Sequence, residues 1–261
     1  DSIPGFVGPV SVEQFKGGQS NPTYKINTAT NSYTLRRKPP GNLLPTAHAI
    51  DREYRIMSAL KNTKVPVPQT YTICEDQSII GTSFYIMEFV DGRVLWEPML
   101  PNMRPAERRK IYANMNSAIA KLHTVDFMEL DLSDYGRIGN SILRQIRRWS
   151  RQYLESDQEP IEELSRLCQW LPENLPCRDQ TSIVHGDFRI DNMIFQSSKS
   201  NLLAVVDWEL STLGDPVGDF VYHLMQWRLP ANIFHGLRDV SLKELGIPSE
   251  EEYVRSYCEG V

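Results

Sequence analysis

Hydrophobic periodicity changes once along this chain, and the change limits the folds it can adopt. Through Phe89, apolar residues come in short β-branched and aromatic runs between turn residues: FKGGQSNPTYKI, SYTLRR and, after one helical stretch, SII and FYIMEFV. Such runs predict a small antiparallel sheet carrying a helix. Beyond FVDG the period becomes helical. Residues 105–123, PAERRKIYANMNSAIAKLH, place Ile111, Met115, Ala118, Ile119 and Leu122 on one face, a core-facing stripe. Residues 141–154 set Ile142, Ile146, Trp149 and Tyr153 opposite Arg144, Arg147, Arg148 and Arg151. Strand-like runs return only briefly, in SIVHGD, NMIF and LLAVVD. The pattern predicts an α+β chain in two parts, a strand-rich lobe over 1–89 and a helix-rich lobe over 90–261, joined by one crossing segment.

Composition narrows the function classes. At 41% hydrophobic and 23% charged, 261 residues suffice for a sizeable core, and disorder is not expected. A net charge of -5 gives no overall attraction to nucleic acid, and no apolar run is long enough to span a membrane. The opening DSIPGFVGPV lacks the basic-then-apolar order of a signal sequence. Cys74, Cys168, Cys177 and Cys258 have no metal-ligand spacing and predict free thiols in a cytoplasmic protein.

Within the first lobe, TAHAIDREYRIMSAL predicts a helix over 46–60, opened by Thr46 after Pro45 and stopped before VPVP. Ile50, Tyr54, Met57 and Leu60 fall on one side of it, and Glu53 lies inside that arc. A carboxylate there needs a partner, because burying it alone is costly.

The second lobe carries the chemistry-bearing residues. In SIVHGDFRIDNMIF, two greasy runs flank a loop holding His185, Asp187, Arg189, Asp191 and Asn192. A hairpin built from MIF and LLAVV would bring Asn192 beside Asp207 of VVDWE, with Asp187 at the mouth of the preceding strand. Two oxygen ligands sharing a hard cation, plus a carboxylate left to orient a hydroxyl, suit metal-assisted phosphoryl transfer. His48, His123 and His223 sit in helical contexts and read as structural. Asp215 and Asp219 of GDPVGDF read as caps and braces, since Pro216 and Gly218 mark a turn opening a helix.

HGDFRIDN matches the protein-kinase pattern H-R-D-x-x-x-x-N without a gap, Asp187 in the place of the base and Asn192 in that of the second metal ligand. Asp207 then takes the place of the D-F-G aspartate and Glu53 that of the helix glutamate. The short WELSTLGDPVG between Asp207 and Asp219 leaves no room for a platform on which to lay a polypeptide. With VVDWE, GDPVGDF and AKLH added, the chain resembles the aminoglycoside phosphotransferase and choline kinase family over nearly its whole length. More narrowly, KGGQSNPTYKI, LRRKPPGNLLPTAHAIDREYR and DWELSTLGDP look like the kinase-like domain that opens acyl-CoA dehydrogenase family members ten and eleven, and like its stand-alone bacterial relatives.

That resemblance implies a bilobal protein-kinase-like fold with ATP and magnesium between the lobes. Gly17, Gly18, Ser20 and Asn21 would lie in the loop over the phosphates, and Glu88 and Val90 would offer backbone groups to the base. Arg36 would pair with Glu53, although Arg37 and Lys38 adjoin it and strand register decides which points inward. Arg189 would meet the transferred phosphoryl group, Asn192 and Asp207 would hold the metal, and His185 would brace the loop. The chain departs from the kinase pattern in three places: KGGQSNPTY is not G-x-G-x-x-G, arginine replaces the strand lysine, and Asp-Trp-Glu replaces Asp-Phe-Gly. The family's large lobe usually continues through further helices, so part of the acceptor pocket is expected to lie outside this sequence.

The acceptor is constrained by charge. Between Tyr135 and Leu154 stand Arg137, Arg144, Arg147, Arg148 and Arg151 and no acidic residue. Aminoglycosides are polycations and want carboxylates, whereas a coenzyme A thioester brings phosphates. The expected acceptor is a small anionic molecule bearing a hydroxyl, such as a hydroxyacyl-CoA. Two alternatives stand beside it: a catalytically silent nucleotide- or acyl-CoA-binding module, and a true aminoglycoside kinase. The intact Asp187, Asn192 and Asp207 set disfavours the first, and the missing acidic face disfavours the second.

Overall fold

The computed structural model describes residues 3, 6–15, 21–39, 50–156, 159–233 and 236–261. It has a kinase-like bilobal architecture, with a sheet-based lobe packed against a larger helical one. The first lobe is a five-stranded antiparallel sheet of β1 (Ser11–Gln14), β2 (Thr23–Asn27), β3 (Ser32–Arg37), β4 (Thr70–Cys74) and β5 (Phe84–Glu88), in spatial order β1-β2-β3-β5-β4. Helix α1 (Ile50–Leu60) packs on β4 and β5 and buries Ile50, Glu53, Ile56, Met57 and Leu60. The residues expected to open it, Thr46 among them, lie outside the described set.

Strand alternation divides this sheet into two faces. Tyr33 joins Ile3 and Ile26 in a separate outer cluster with Leu35, Tyr71 and Ile86 packed against it. Thr34, Arg36, Tyr85 and Met87 therefore occupy the inner face, in register across β3 and β5. The same alternation sends Arg37 outward, where its guanidinium lies 5.7 Å from the Tyr24 ring centroid.

One expectation fails here. SII is not a strand but α2 (Gln77–Ile80), a single turn whose N-cap Asp76 accepts from Ser78 N–H and whose C-cap Gly81 is left-handed, with φ 83°. These caps override the β propensity of two isoleucines. The strand at this edge is TYTIC instead.

In the second lobe, β6 (Arg93–Val94) precedes the long α3 (Pro105–His123), which packs against the later α7 (Leu242–Leu245) and α8 (Glu250–Gly260). Helices α4 (Ser141–Leu154) and α5 (Glu162–Trp170) lie to one side, and Ser141 is their one buried residue. Trp149, placed on the apolar face of α4, is 56% exposed. The returning strands form two small sheets rather than extending the first. Strand β7 (Ser182–Val184) pairs with β10 (Thr212–Gly214), and β8 (Met193–Phe195) lies between β6 and β9 (Leu202–Val205). Helix α6 (Pro216–Arg228) follows β10 and feeds Phe220, His223, Leu224 and Trp227 into an aromatic core with Tyr112, Tyr253 and Tyr257.

Helix α1 also joins the lobes. Arg52 donates to the Tyr135 carbonyl at 2.6 Å and lies over its ring, while Arg55 pairs with Asp134 at 2.5 Å. No helix among the described residues is long and apolar enough to cross a membrane. All four cysteines are unpaired.

Candidate active site

The catalytic-loop candidate is held from below by one buried carboxylate. Asp219 Oδ2 accepts His185 N–H and its Oδ1 accepts Gly186 N–H, both at 2.9 Å, and His123 Nε2 lies 3.2 Å away. Burial alone would raise this carboxyl, but the hydrogen bond and charge of His123, with His185, hold it below the usual range. Asp215 caps α6 by accepting from Val217 and Gly218 N–H. Gly186 has φ +82°, and a Cβ there would meet the Leu210 carbonyl at 2.6 Å. Glycine is thus required where protein kinases carry arginine.

His185 is fully buried and braces the loop. Its Nδ1 accepts Asp187 N–H at 3.2 Å, which places the proton on Nε2, donating to the Val206 carbonyl at 3.1 Å. Burial lowers its pKa and keeps the ring neutral. His123 and His223 are likewise satisfied, against Tyr257 and Asp219 and against the Phe188 carbonyl and Tyr253. His48 lies outside the described residues.

The β8–β9 hairpin brings Asn192 and Asp207 to one place: Met193 pairs with Val205, and Val206 N–H donates to the Asn192 carbonyl at 2.9 Å. The Asn192 amide donates to Asp187, at 2.9 Å to its carbonyl and 3.0 Å to Oδ2. Its side-chain oxygen is left as the atom available to a cation. Asp207 sits in the left-handed region with φ 66°, which aspartate adopts more readily than most residues other than glycine. Arg189 Nε lies 3.1 Å from Asp187 Oδ1, and its Nη2 donates to Asp191 at 2.9 Å.

The inward cation of β3 is Arg36. Its Nε lies 2.9 Å from Glu53 Oε2, and its Nη2 pairs with Asp207 and, at 3.9 Å, with Glu209. Glu53, 1% exposed, also accepts from Tyr85 Oη and Asn21 Nδ2, each at 2.9 Å. Burial, opposed by Arg36, pushes its carboxyl up to about 7. Asn21 is buried: Nδ2 reaches Glu53 and Glu209, and among the described residues its Oδ1 has no hydrogen-bond partner. Gly17, Gly18 and Ser20 lie outside the described residues. In the connecting segment, Glu88 N–H is taken by the Gln69 carbonyl at 2.7 Å, which leaves Glu88 only its carbonyl for a base.

Three participants were not singled out in the sequence. Tyr85 supports Glu53, and Tyr222 on α6 donates to Asp187 Oδ1 at 2.8 Å. Glu209 brings a carboxylate oxygen within 4.8 Å of those of Glu53 and Asp207. Its signal was the third letter of Asp-Trp-Glu, where a kinase has glycine; Trp208 meanwhile is wholly buried and donates to the Val205 carbonyl. With Asp207, Glu209 and the Asn192 amide oxygen, the cleft offers an all-oxygen donor set, which suits a hard divalent cation.

The sequence profile of the phosphotransferase enzyme family matches residues 11–251. Acyl-CoA dehydrogenase family member 10 of Mus musculus is 49% identical over 253 residues, covering 96% of this chain and 24% of the relative. Family member 11 of Homo sapiens is 38% identical over 250 residues, 95% of this chain and 32% of the relative. The chain thus spans about a quarter to a third of those proteins. A Ralstonia eutropha protein, provisionally termed an aminoglycoside phosphotransferase, superposes with a TM-score of 0.92 at 50% identity, covering 99% of this chain and 77% of that one. The streptomycin–ATP complex of APH(2")-IIa shares the fold alone, with a TM-score of 0.63 and 19% identity over 95% of this chain and 77% of its own. This chain belongs to the APH phosphotransferase enzyme family.

Proposed function

We propose that this protein transfers the γ-phosphoryl group of ATP to the hydroxyl of a small anionic acceptor, with magnesium as the required ion. One observation carries the reading. Asp187 and Asn192 are locked together by hydrogen bonds, while the β8–β9 ladder seats Asn192 beside Asp207, so base and metal donors form one unit. Asp187 would orient the acceptor hydroxyl and take its proton. Asp207 and the Asn192 oxygen would hold magnesium, with Glu209 near enough to share it. Bound there, the ion supplies positive charge against the nucleotide phosphates. Arg36, braced by Glu53, and Arg189 would neutralise charge on the phosphates and the transferred group. The nucleotide would lie under the inner face of the sheet, with the Glu88 carbonyl and Val90 at the base and the small lobe ending near residue 89. The relatives solved with ATP and with GDP support a nucleotide site of this kind.

Two surface features support an anionic, partly apolar acceptor such as a hydroxyacyl-CoA. Arg144, Arg147, Arg148 and Arg151 line a surface cavity of about 630 Å3 with Gln152 and Glu155. On α6, whose Tyr222 reaches Asp187, the residues Val217, Val221 and Met225 are exposed, an apolar strip that suits an acyl chain better than a polycationic sugar.

The test is incubation with Mg-ATP and a panel of hydroxyacyl-CoA thioesters, free hydroxy acids, choline and aminoglycosides, read by mass spectrometry for gain of one phosphoryl group. A phosphorylated thioester is the expected product. Phosphorylated aminoglycoside would overturn the charge argument, and no product from any acceptor would favour a silent nucleotide-binding module.

A further inference from the structure

The residues of α6 that face the catalytic loop are Asp219, Tyr222 and His223, spaced so that they share one side of the helix. Two of them hold backbone: Asp219 accepts His185 and Gly186 N–H, and His223 Nδ1 lies 2.9 Å from the Phe188 carbonyl. Tyr222 instead reaches a side chain, donating to Asp187 Oδ1 at 2.8 Å. We propose that Tyr222 is a positioning residue for phosphoryl transfer, its hydroxyl fixing the Asp187 carboxylate from outside the catalytic loop. The proposal rests on the reading of Asp187 as the base.

A carboxylate turns easily about its last torsion, so a single hydrogen bond leaves it free to swing. Asn192 holds Oδ2 and Tyr222 holds Oδ1, and together they define the plane of the group. Arg189 Nε also lies 3.1 Å from Oδ1, so the oxygen that retains a lone pair for an acceptor hydroxyl is Oδ2, which carries the Asn192 bond. Tyr222 does not compete for the proton. Partial burial, and then its bond to Asp187, push its phenol up to about 12, and it remains a neutral donor. Nor is the hydroxyl needed for packing: Tyr222 is 40% exposed, whereas its neighbours Phe220 and His223 are 4% and 3% exposed.

The test is a double-mutant cycle with Asp187→Asn and Tyr222→Phe. Tyr222→Phe alone should lower kcat by roughly 10- to 100-fold, the scale of a misplaced reacting group, with KM for ATP unchanged. Added to Asp187→Asn it should cost nothing more, because it acts only through that carboxylate. An equal cost in both backgrounds, or none in the parent protein, would overturn the proposal. A second measurement does not depend on turnover: 3-fluorotyrosine placed at position 222 should show a displaced 19F resonance in the Asp187→Asn protein. If the protein transfers phosphate to no acceptor while that resonance moves, the contact stands and the base reading falls. An unmoved resonance removes the contact itself.

Discussion

Arg36 and the arginines of α4 carry the same charge and meet opposite fates. Arg36 is 12% exposed and is shared among Glu53, Asp207 and Glu209, which come from α1 and from the turn after β9. On α4, Arg147, Arg148 and Arg151 are exposed, and Arg144 binds the backbone carbonyls of Gly139 and Arg137. A buried cation must be satisfied by partners fixed in space, so its geometry identifies its work. An exposed cation pays no such penalty and can serve a ligand or only the solvent. The two regions therefore call for different tests, one on rate and stability and the other on affinity.

The sharpest break is at the proposed base. Asp187→Ala should lower turnover by roughly 10² to 10⁴ while nucleotide affinity, followed by calorimetry, stays near the parent value. Equal turnover in the variant would remove Asp187 from the chemistry. Next comes the buried brace: Asp219→Ala strands His185 N–H, Gly186 N–H and His123, and should cost about 3–5 kcal/mol in denaturant unfolding.

A pH effect of similar origin follows from His223, whose imidazole burial pulls from 6.5 to about 4. Between those values the unfolded state holds more protons, so stability is full above pH 6.5 and falls as pH drops through 4, by about 3 kcal/mol in all. His223→Gln should flatten that slope in thermal melts taken across the window. The smallest effect belongs to the exposed set: Arg148→Glu with Arg151→Glu should weaken an anionic acceptor on the order of tenfold and leave melting unchanged. Unaltered acceptor affinity would leave the α4 face to solvent.

Much of this site is legible in the sequence, because the spacing of HGDFRIDN and the hairpin that follows it are local. The choice of Arg36 over Arg37 was not. Alternation sets Tyr33, Leu35 and Arg37 on one face and Arg36 on the other, but the apolar pair packs in an outer cluster rather than toward the cleft, so the usual rule of apolar side inward would have chosen Arg37. Other features were hidden for physical reasons. The bond between Tyr222 and Asp187 joins residues 35 apart through the docking of a whole helix, which no short pattern encodes. Asn21 is drawn to Glu53 and Glu209 because the fold brings three carboxylates together, a convergence visible only in space. SII misled because two isoleucines outvote an aspartate on propensity, although a cap and a left-handed glycine decide a single turn.

The anchoring of the catalytic loop on α6 separates two evolutionary tasks. The proposed base and its supports lie between β7 and His223, tied to one another by Asp219, His185, Asn192 and Tyr222. Helices α4 and α5 bury almost nothing against that unit. Insertions, charge reversals and new side chains can accumulate there without disturbing that unit. Divergence toward new acceptors should therefore be written mainly in α4 and α5, while the stretch from β7 to α6 drifts slowly.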